Sequence, residues 1–232
     1  LAHLALPLIG EGWVKYKGEK ILAKEALAKA GLAPIELREK EGLTLINGTQ
    51  IMGSVGSLGL CKSFKTLQIA EQLVALSVEA LEGCTDAFHP FIHESRGHPG
   101  QIESAKRIRE ALKGSPLLSK NYARAMDKVQ DPYSIRCAPQ VYGASRDALQ
   151  YAKKVMETEM NAVTDNPLVN TEDGSIISGG NFHGQPLAYA FDFASIAVCE
   201  IASLSERRLD LLFNPQFSQL PAFLSPKEGL CS

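Results

Sequence analysis

The sequence predicts an all-α protein, a bundle of long helices with one or two minor β-hairpins. Residues 49–82 contain no proline, and residues 186–213 contain none after the first position, so each stretch predicts one uninterrupted helix. At 1.5 Å per residue the second would be roughly 40 Å long. Residues 140–161 predict a third long helix. Because only short segments carry strand signals, we expect helices to pack mainly on helices.

The amino-terminal part of the sequence predicts smaller elements. Residues 1–9 are apolar and predict a short helix, ended by a glycine-rich turn. Residues 13–16 and 20–22 flank a glycine and predict a hairpin. We expect a further helix over residues 24–30 to stop at Gly31, where a C-cap glycine is favoured.

The first long helix is preceded by a turn at Asn47 and Gly48 and carries three regularly spaced glycines. Gly53, Gly56 and Gly59 recur every three residues, although each costs a helix about 1 kcal/mol relative to alanine. A phosphate-binding loop is disfavoured because no strand precedes these glycines and no Gly-Lys-Ser/Thr follows them. We interpret them as a smooth face against which another helix packs closely.

The middle of the chain predicts a loop, a helix and an irregular segment. Residues 89–100 contain two prolines and predict the loop. Residues 101–113 predict a helix, and residues 115–128 predict a polar, irregular segment. The apolar face of that helix is expected to comprise Ile102, Ala105, Ile108 and Leu112.

The last part of the chain predicts two long helices around a second hairpin. Residues 168–169 and 175–177 predict the hairpin, and Asn214-Pro215 is expected to end the last helix. The absence of a repeat or linker predicts a single domain over residues 1–232. The helix over residues 140–161 is expected to bury a stripe formed by Val141, Ala144, Ala148, Ala152, Val155 and Met160.

Composition argues against several classes of protein. The 232 residues carry a net charge of -2, which favours neither nucleic acid nor an anionic membrane surface as a partner. The longest apolar runs are shorter than the roughly 18 residues that span a bilayer. Five scattered cysteines without CxxC spacing argue against disulfides and a zinc site, and free thiols fit a cytoplasmic location. We expect this sequence to be a piece of a longer chain that is truncated at both ends.

A histidine cluster raises the question of a metal site. His89, His93 and His98 lie close together beside Glu94. Their spacing is not the H-E-x-x-H pattern of zinc enzymes, because Gly97 stands where the second histidine would fall. We therefore expect ordinary loop histidines and no metal.

The first cluster with catalytic potential is the polar run of residues 130–137. Arg136 could bind a carboxylate through two parallel charge-assisted hydrogen bonds, and Tyr133 could donate or relay a proton. Gln130, together with Asn47 earlier in the chain, offers neutral groups that can orient a carboxylate or carbonyl oxygen. The structural alternative makes Arg136 an ion-pair partner at a helix end and Tyr133 a packing residue.

The second cluster is the glycine-rich run of residues 178–185, which precedes the last long helix. Its glycine pair would let the backbone approach a ligand closely, and Phe182 could form one wall of a pocket beside His183. The alternative is a tight turn in which Asn181 or His183 satisfies backbone groups.

Six blocks of the sequence resemble the aromatic amino acid ammonia-lyases. They occur in the family's order and span essentially the whole chain, which makes the combination specific. The motif Tyr-Ser-Ile-Arg-Cys at residues 133–137 is most similar to that of the bacterial histidine branch of the family. The blocks are residues 1–12, 40–50, 130–140, 161–168, 178–186 and 205–208.

The resemblance implies a carbon–nitrogen lyase that eliminates ammonia from an α-amino acid; for L-histidine the product is urocanate. It implies an electrophile, 4-methylideneimidazole-5-one (MIO), formed autocatalytically from an Ala-Ser-Gly that family members carry just before the position of Leu1. It further implies that Arg136 pairs with the substrate carboxylate and that Tyr133 assists proton transfer. Asn47 and Gln130 would contact the electrophile or the carboxylate. Phe182 would line the pocket. The family's active sites are assembled from several subunits of a homotetramer.

One departure from the family pattern limits what this chain can do alone. The sequence contains no Ala-Ser-Gly, so we expect the isolated polypeptide, a central helical core, to be inactive. Two alternatives stay open. The parent could be a tyrosine or phenylalanine ammonia-lyase or an aminomutase of the same family, or the chain could be a non-catalytic helical oligomerisation core, such as a pseudoenzyme remnant.

Overall fold

A computed structural model describes residues 2–118, 130–227 and 229. Most of them are helical, and the strands form two small antiparallel pairs, which confirms the predicted all-α class. The chain divides into two compact units. The first comprises Leu1–Val55 and Glu157–Leu187, and the second comprises Gly56–Met156 and Ala188–Ser232. That both belong to one domain stays a prediction.

The first unit begins with the predicted small elements. Helix α1 (Ala2–Ala5) continues into a 3-10 turn, and strands β1 (Trp13–Tyr16) and β2 (Glu19–Leu22) form the hairpin in antiparallel register. Its two-residue turn, Lys17-Gly18, has positive φ at both positions, as the right-handed twist of a hairpin favours. Helix α2 (Ala23–Lys29) ends before Gly31, which is left-handed as expected.

The rest of the first unit consists of short elements and the ends of long helices. Helix α3 (Glu41–Thr44) precedes the loop that contains Asn47. Strands β3 (Leu168–Val169) and β4 (Ile176–Ile177) form the second predicted hairpin. This unit also contains residues 50–55, 157–159 and 185–187, which belong to long helices that continue into the second unit.

Four helices supply most of the second unit. They are α4 (Gln50–Ala80), α6 (Pro99–Leu112), α8 (Ala138–Glu159) and α9 (Gln185–Phe213). Short helices α5 (Pro90–Glu94) and α7 (Tyr133–Arg136) precede α6 and α8, and α10 (Pro215–Ser218) follows α9. The apolar core includes Leu67, Val74, Val78, Ala105, Ile108, Tyr142, Leu149, Ala152, Ala190 and Ile201.

Helices α6 and α8 approach each other at a pair of glycines. A Cβ added to Gly143 would overlap the backbone of Gln101, and one added to Gly100 would overlap the carbonyl oxygen of Gly143. The predicted glycine face on α4 is confirmed at Gly56, which lies against the ring of Phe191. Gly59 has open space instead, so close packing explains only part of that motif.

A buried ion pair joins α4, α6 and α8 in the second unit. Arg146 Nη2 lies 2.6 Å from Glu71 Oε1, with side chains only 8% and 2% exposed. The Ser104 hydroxyl donates to the same carboxylate oxygen at 2.6 Å, and Arg107 Nε lies 4.0 Å from the other oxygen. The pair is therefore held by groups from three helices in a place that water hardly reaches.

Two predictions about the helices were wrong. Residues 90–94 form α5 and not a loop, because the His89 ring accepts a hydrogen bond from the Phe91 N–H and Pro90 occupies the first helical turn. Of the stripe expected on α8, only Ala152 is buried. The helix is rotated so that Tyr142, Arg146 and Leu149 face the core instead.

The prediction for residues 115–128 falls mostly outside the described residues. Residues 116–118 are helical. Helix α9 ends before Asn214-Pro215, as predicted. By length and composition alone α9 could cross a membrane, since its most apolar window has a mean hydropathy of 1.6 and is 28% buried. Core helices of soluble proteins have the same character.

Candidate functional site

The first candidate cluster lies in the second unit, at the junction of α7 and α8. Tyr133 and Arg136 are the first and last residues of the single helical turn α7. Pro132 is extended at its start, with ψ of 155°, which fits the rigid backbone of proline before a first turn. The Asp131 carboxylate is 5% exposed and accepts a hydrogen bond from the Cys84 N–H at 2.6 Å. This contact anchors the segment before the helical turn begins.

Arg136 is restrained at one nitrogen, and its other two have no partner among the residues that the structure describes. Its Nε donates to the Asp131 carbonyl oxygen at 2.9 Å, and its guanidinium carbon lies 4.5 Å from the centre of the Tyr133 ring. Within the described parts of the chain, Nη1 and Nη2 have no hydrogen-bond or ion-pair partner. No described residue makes Arg136 the helix-end ion-pair partner of the structural alternative, and its Nη1 and Nη2 can offer two parallel N–H donors.

Tyr133 and Gln130 are exposed near Arg136. The Tyr133 side chain is 68% exposed, and its hydroxyl makes no hydrogen bond to residues 2–118, 130–227 or 229. Gln130 lines a cavity of about 310 Å³ together with Asp131, Gln216 and other residues. Tyr133 is thus not a packing residue within this chain, and its phenol is accessible.

Arg208 is a positioning residue that the sequence analysis missed. It is 2% exposed and donates to the Ser134 carbonyl oxygen at 3.3 Å and to the Tyr142 hydroxyl at 2.8 Å. It therefore fastens α7 to α8 and α9. The Ser-Glu-Arg-Arg block contains this residue, but its neighbour Arg207 is exposed and paired with Glu206. Nothing in the block indicates which arginine is buried.

The thiol beside Asp131 is not activated. Burial raises the pKa of the Cys84 thiol, and the carboxylates of Asp86 and Asp131 act in the same direction. At neutral pH the thiol stays protonated, so Cys84 contributes its backbone N–H and not a nucleophile.

The second candidate cluster lies in the first unit and contains Asn47 and Phe182. Asn47 is half-buried in the loop between α3 and α4, and its amide has no side-chain hydrogen bond to any described residue. The Phe182 side chain is 37% exposed. Asn181 Nδ2 donates to the Val163 carbonyl oxygen at 3.3 Å, and His183 Nδ1 accepts from the Gln185 N–H. These two contacts form the turn of the structural alternative, while Phe182 stays accessible.

The five predicted site residues thus fall into two groups. Gln130, Tyr133 and Arg136 lie together in the second unit, and Asn47 and Phe182 lie in the first unit. None of the five is buried, in contrast to Arg146 and Arg208, which are 7% and 2% exposed.

Two of the three clustered histidines, His89 and His93, make hydrogen bonds to the backbone. His93 is fully buried between the Ala87 carbonyl oxygen, at 3.1 Å, and the Gln101 side chain, at 3.0 Å. His89 caps α5. Among the described residues no group of three His, Cys, Asp or Glu side chains could hold a metal ion.

We expect the stability of the protein to decrease below about pH 6.5 because of His93. Burial lowers the pKa of His93 from its ordinary 6.5, and the charge of Arg109 adds to the effect. The unfolded chain then binds a proton that the folded chain does not, so the free energy of unfolding falls until the pH reaches the lower, folded-state pKa. Urea unfolding between pH 7.5 and 5 measures this slope.

The His93→Gln variant should lose that part of the pH dependence. His98→Gln is the matched control, because His98 is exposed and its side chain caps no helix. Equal slopes in the wild type and in His93→Gln would contradict this origin of the acid sensitivity.

Comparisons with known proteins extend over the whole chain. A family model described as aromatic amino acid lyase matches residues 1–232. Histidine ammonia-lyase of Geobacillus thermodenitrificans is 53% identical over 100% of this chain and 45% of its own length. The chain therefore spans about half the length of such relatives.

Solved structures match with similar coverage. Tyrosine aminomutase from Streptomyces globisporus has a TM-score of 0.89 at 38% identity, covering 98% of this chain and 47% of that chain. Histidine ammonia-lyase from Trypanosoma cruzi has a TM-score of 0.86 at 40% identity, covering 99% of this chain and 43% of that chain. Ammonia-lyases and aminomutases therefore share this arrangement of helices.

Proposed function

Because the chain belongs to the aromatic amino acid lyase family, as its motifs predicted, we propose that it forms part of a histidine ammonia-lyase. In this proposal the full-length protein eliminates ammonia from L-histidine and yields urocanate. Relatives about 50% identical over the whole chain are named histidine ammonia-lyases, which supports histidine as the substrate.

The observation that carries the proposal is the guanidinium group of Arg136. The contact with the Tyr133 ring and the hydrogen bond to the Asp131 carbonyl oxygen restrain this group, while its two terminal nitrogens have no partner among the described residues. A planar fork of two N–H donors matches an α-carboxylate, which every amino acid substrate carries. Because the group is already restrained, little side-chain entropy is lost when the carboxylate binds.

Elimination breaks the Cα–N bond and removes a proton from Cβ. Arg136 would hold the carboxylate and so fix the orientation of Cα and Cβ. Tyr133 lies against the same guanidinium group, so its phenol would be near the bound substrate. We propose that the Tyr133 phenol moves a proton during elimination.

The residues present fit an uncharged, carbonyl-bearing electrophile such as MIO. Asn47 and Gln130 are neutral amides whose N–H groups donate to no described residue, and such groups suit a carbonyl oxygen better than a charged side chain would. When bound, the electrophile would supply the means of turning the amine into a leaving group. The Ala-Ser-Gly that forms it is not in this sequence, so we propose that another part of the full-length protein provides it and that this chain alone is inactive. Phe182 would line the pocket.

A tyrosine or phenylalanine substrate, or an aminomutase reaction, is the second candidate. Its support is the tyrosine aminomutase structure, which is as similar to this chain as the histidine enzyme is. The third candidate, a non-catalytic helical core, is disfavoured because polar groups of Arg136, Tyr133 and Asn47 have no partner among the described residues, and a scaffold has no need of such groups.

We also propose a homo-oligomer, a tetramer, in the cytoplasm, with neither a membrane nor a nucleic acid as partner. Exposed apolar side chains recur at helical spacing on two long helices, as in an interface between subunits. They include Ile69, Leu73 and Leu76 on α4 and Tyr189, Phe193 and Ile196 on α9.

The proposed function is tested by assaying the full-length gene product with L-histidine and following urocanate by its absorbance. We expect turnover of histidine and no turnover by the isolated 232-residue chain. Turnover of tyrosine or phenylalanine alone would reject histidine and leave the family. No reaction with any of the three, in a preparation whose mass shows the MIO group, would favour the non-catalytic core.

A further inference from the structure

The segment of residues 163–167 in the first unit is a meeting point of long-range hydrogen bonds. Lys40 Nζ donates to Asp165 Oδ2 at 2.6 Å and to the Pro167 carbonyl oxygen at 3.0 Å. This ion pair is only partly exposed, at 36% and 23%. The hydrogen bond from Lys40 lowers the pKa of the Asp165 carboxyl, and the Asn166 N–H does the same, so the carboxylate stays charged at neutral pH.

Lys40 is connected to Asn47 through one short helix. Its own backbone is left-handed, with φ of 69°, a conformation that lysine rarely adopts without tertiary support. From there the Lys40 carbonyl accepts from the Thr44 N–H, and the Leu43 carbonyl accepts from the Asn47 N–H at 2.9 Å. A displacement of Lys40 would therefore be passed along α3 to the loop that contains Asn47.

The opposite side of the segment holds the loop that contains Phe182. Asn166 Oδ1 accepts from the Gly179 N–H at 2.6 Å and from the Ser178 hydroxyl at 3.1 Å. The Val163 carbonyl oxygen accepts from Asn181, the residue immediately before Phe182. Both ends of the segment thus contact the same loop, which has exposed glycines and little packing of its own.

The start of α4 adds a third connection. The buried Thr49 donates to Glu159 Oε1 at 2.8 Å, which fixes the residue two positions after Asn47. A Cβ at Gly184 would come within 2.8 Å of Met52 Cε. The end of the Phe182 loop therefore lies against the first turn of the helix that follows Asn47.

We propose that Lys40 and Asn166 are positioning residues that keep Asn47 and Phe182 in the positions required for catalysis. The segment of residues 163–167 connects the two loops, and we call it the brace. Neither residue touches the substrate. The proposal rests on the proposed function, because it assigns Asn47 and Phe182 to the active site. The two residues act on different loops: Lys40 positions the loop that contains Asn47, and Asn166 positions the loop that contains Phe182.

The test compares variants of the full-length gene product. Lys40→Met removes the ammonium group and keeps most of the alkyl chain. We expect it to lower kcat by roughly 10- to 100-fold, since small misplacements of orienting groups have effects of that size, with a smaller change in KM. Lys40→Arg should recover most of kcat because it keeps the charge.

The second variant separates the two loops. Asn166→Ala should raise KM for histidine more than it lowers kcat, because the pocket wall at Phe182 is released. Asn166→Asp keeps the acceptor oxygen and should restore KM. Lys106→Met is the matched control: Lys106 also belongs to an exposed ion pair, with Glu110, and its loss should leave kcat and KM unchanged.

Hydrogen exchange of the same variants gives a readout independent of activity. We expect Lys40→Met to lose amide protection in residues 41–48 and Asn166→Ala to lose it in residues 178–184, while Lys106→Met loses neither. A wild type inactive towards every amino acid would reject the proposed function. Hydrogen exchange would still show whether Lys40 and Asn166 hold the two loops in place. Unchanged protection in both loops, or unchanged kcat and KM in an active enzyme, would overturn the positioning role.

Discussion

Replacing Arg136 by alanine is expected to abolish most activity of the full-length protein without unfolding it. The two terminal guanidinium nitrogens, which have no partner in the described part of the chain, are the groups best suited to the substrate carboxylate, and removing them leaves that charge unpaired in the site. Such a loss costs roughly 2–5 kcal/mol, which corresponds to about a 30- to 5000-fold reduction in kcat/KM. Steady-state kinetics with L-histidine measure the effect, and circular dichroism verifies the fold.

Two further variants make the Arg136 test specific. Arg136→Lys keeps the charge but loses the fork and the stacking, so it should recover only part of the activity. Arg207→Ala is the control, because Arg207 is an exposed arginine of α9 paired with Glu206 and should be dispensable. Near-wild-type kcat/KM for Arg136→Ala would reject its role in carboxylate binding.

The second large effect is expected on stability, at the buried pair of Glu71 and Arg146. Arg146→Met should lower the free energy of unfolding by about 3–5 kcal/mol, because it leaves the Glu71 carboxylate uncompensated in a site that excludes water. Urea unfolding monitored by circular dichroism measures the change in midpoint at constant slope.

A paired replacement tests the cause of that loss. In the double variant Glu71→Leu with Arg146→Met both charges are gone, so most of the lost stability should return. Arg207→Met, which removes an exposed arginine from an ion pair, should have no measurable effect. A double variant less stable than Arg146→Met would show that shape, and not unpaired charge, dominates at this site.

The sequence was sufficient for the elements whose signals are local. Periodicity and proline placement predicted α4 and α9, and glycines at the turns predicted both hairpins. Helix α8 shows where local signals fail, because two of its faces are apolar. One apolar face lines a surface groove of about 560 Å³ with Val141, Ala144 and Ala148. The other face is buried and contains Arg146, whose partner Glu71 lies on another helix.

The candidate site could also be predicted only in part. Its five predicted residues could be identified from the sequence because they lie in blocks that resemble the family's motifs. The residues that hold them in place, Arg208 and Lys40, were not, since their partners lie 74 and 125 positions away along the chain. A buried arginine and an exposed one stand side by side at positions 208 and 207, and only the fold distinguishes them.

The contact between Gly100 and Gly143 has a consequence for the divergence of such proteins. Ser104 follows Gly100 by about one helical turn, and Arg146 follows Gly143 by nearly one, so the distance between the two backbones also sets the reach of both side chains to Glu71. A mutation that adds a methyl group at either glycine would force the helices apart and weaken the ion pair together with the packing. We expect the two glycines and the three polar residues to change jointly among homologues, as one coevolving unit.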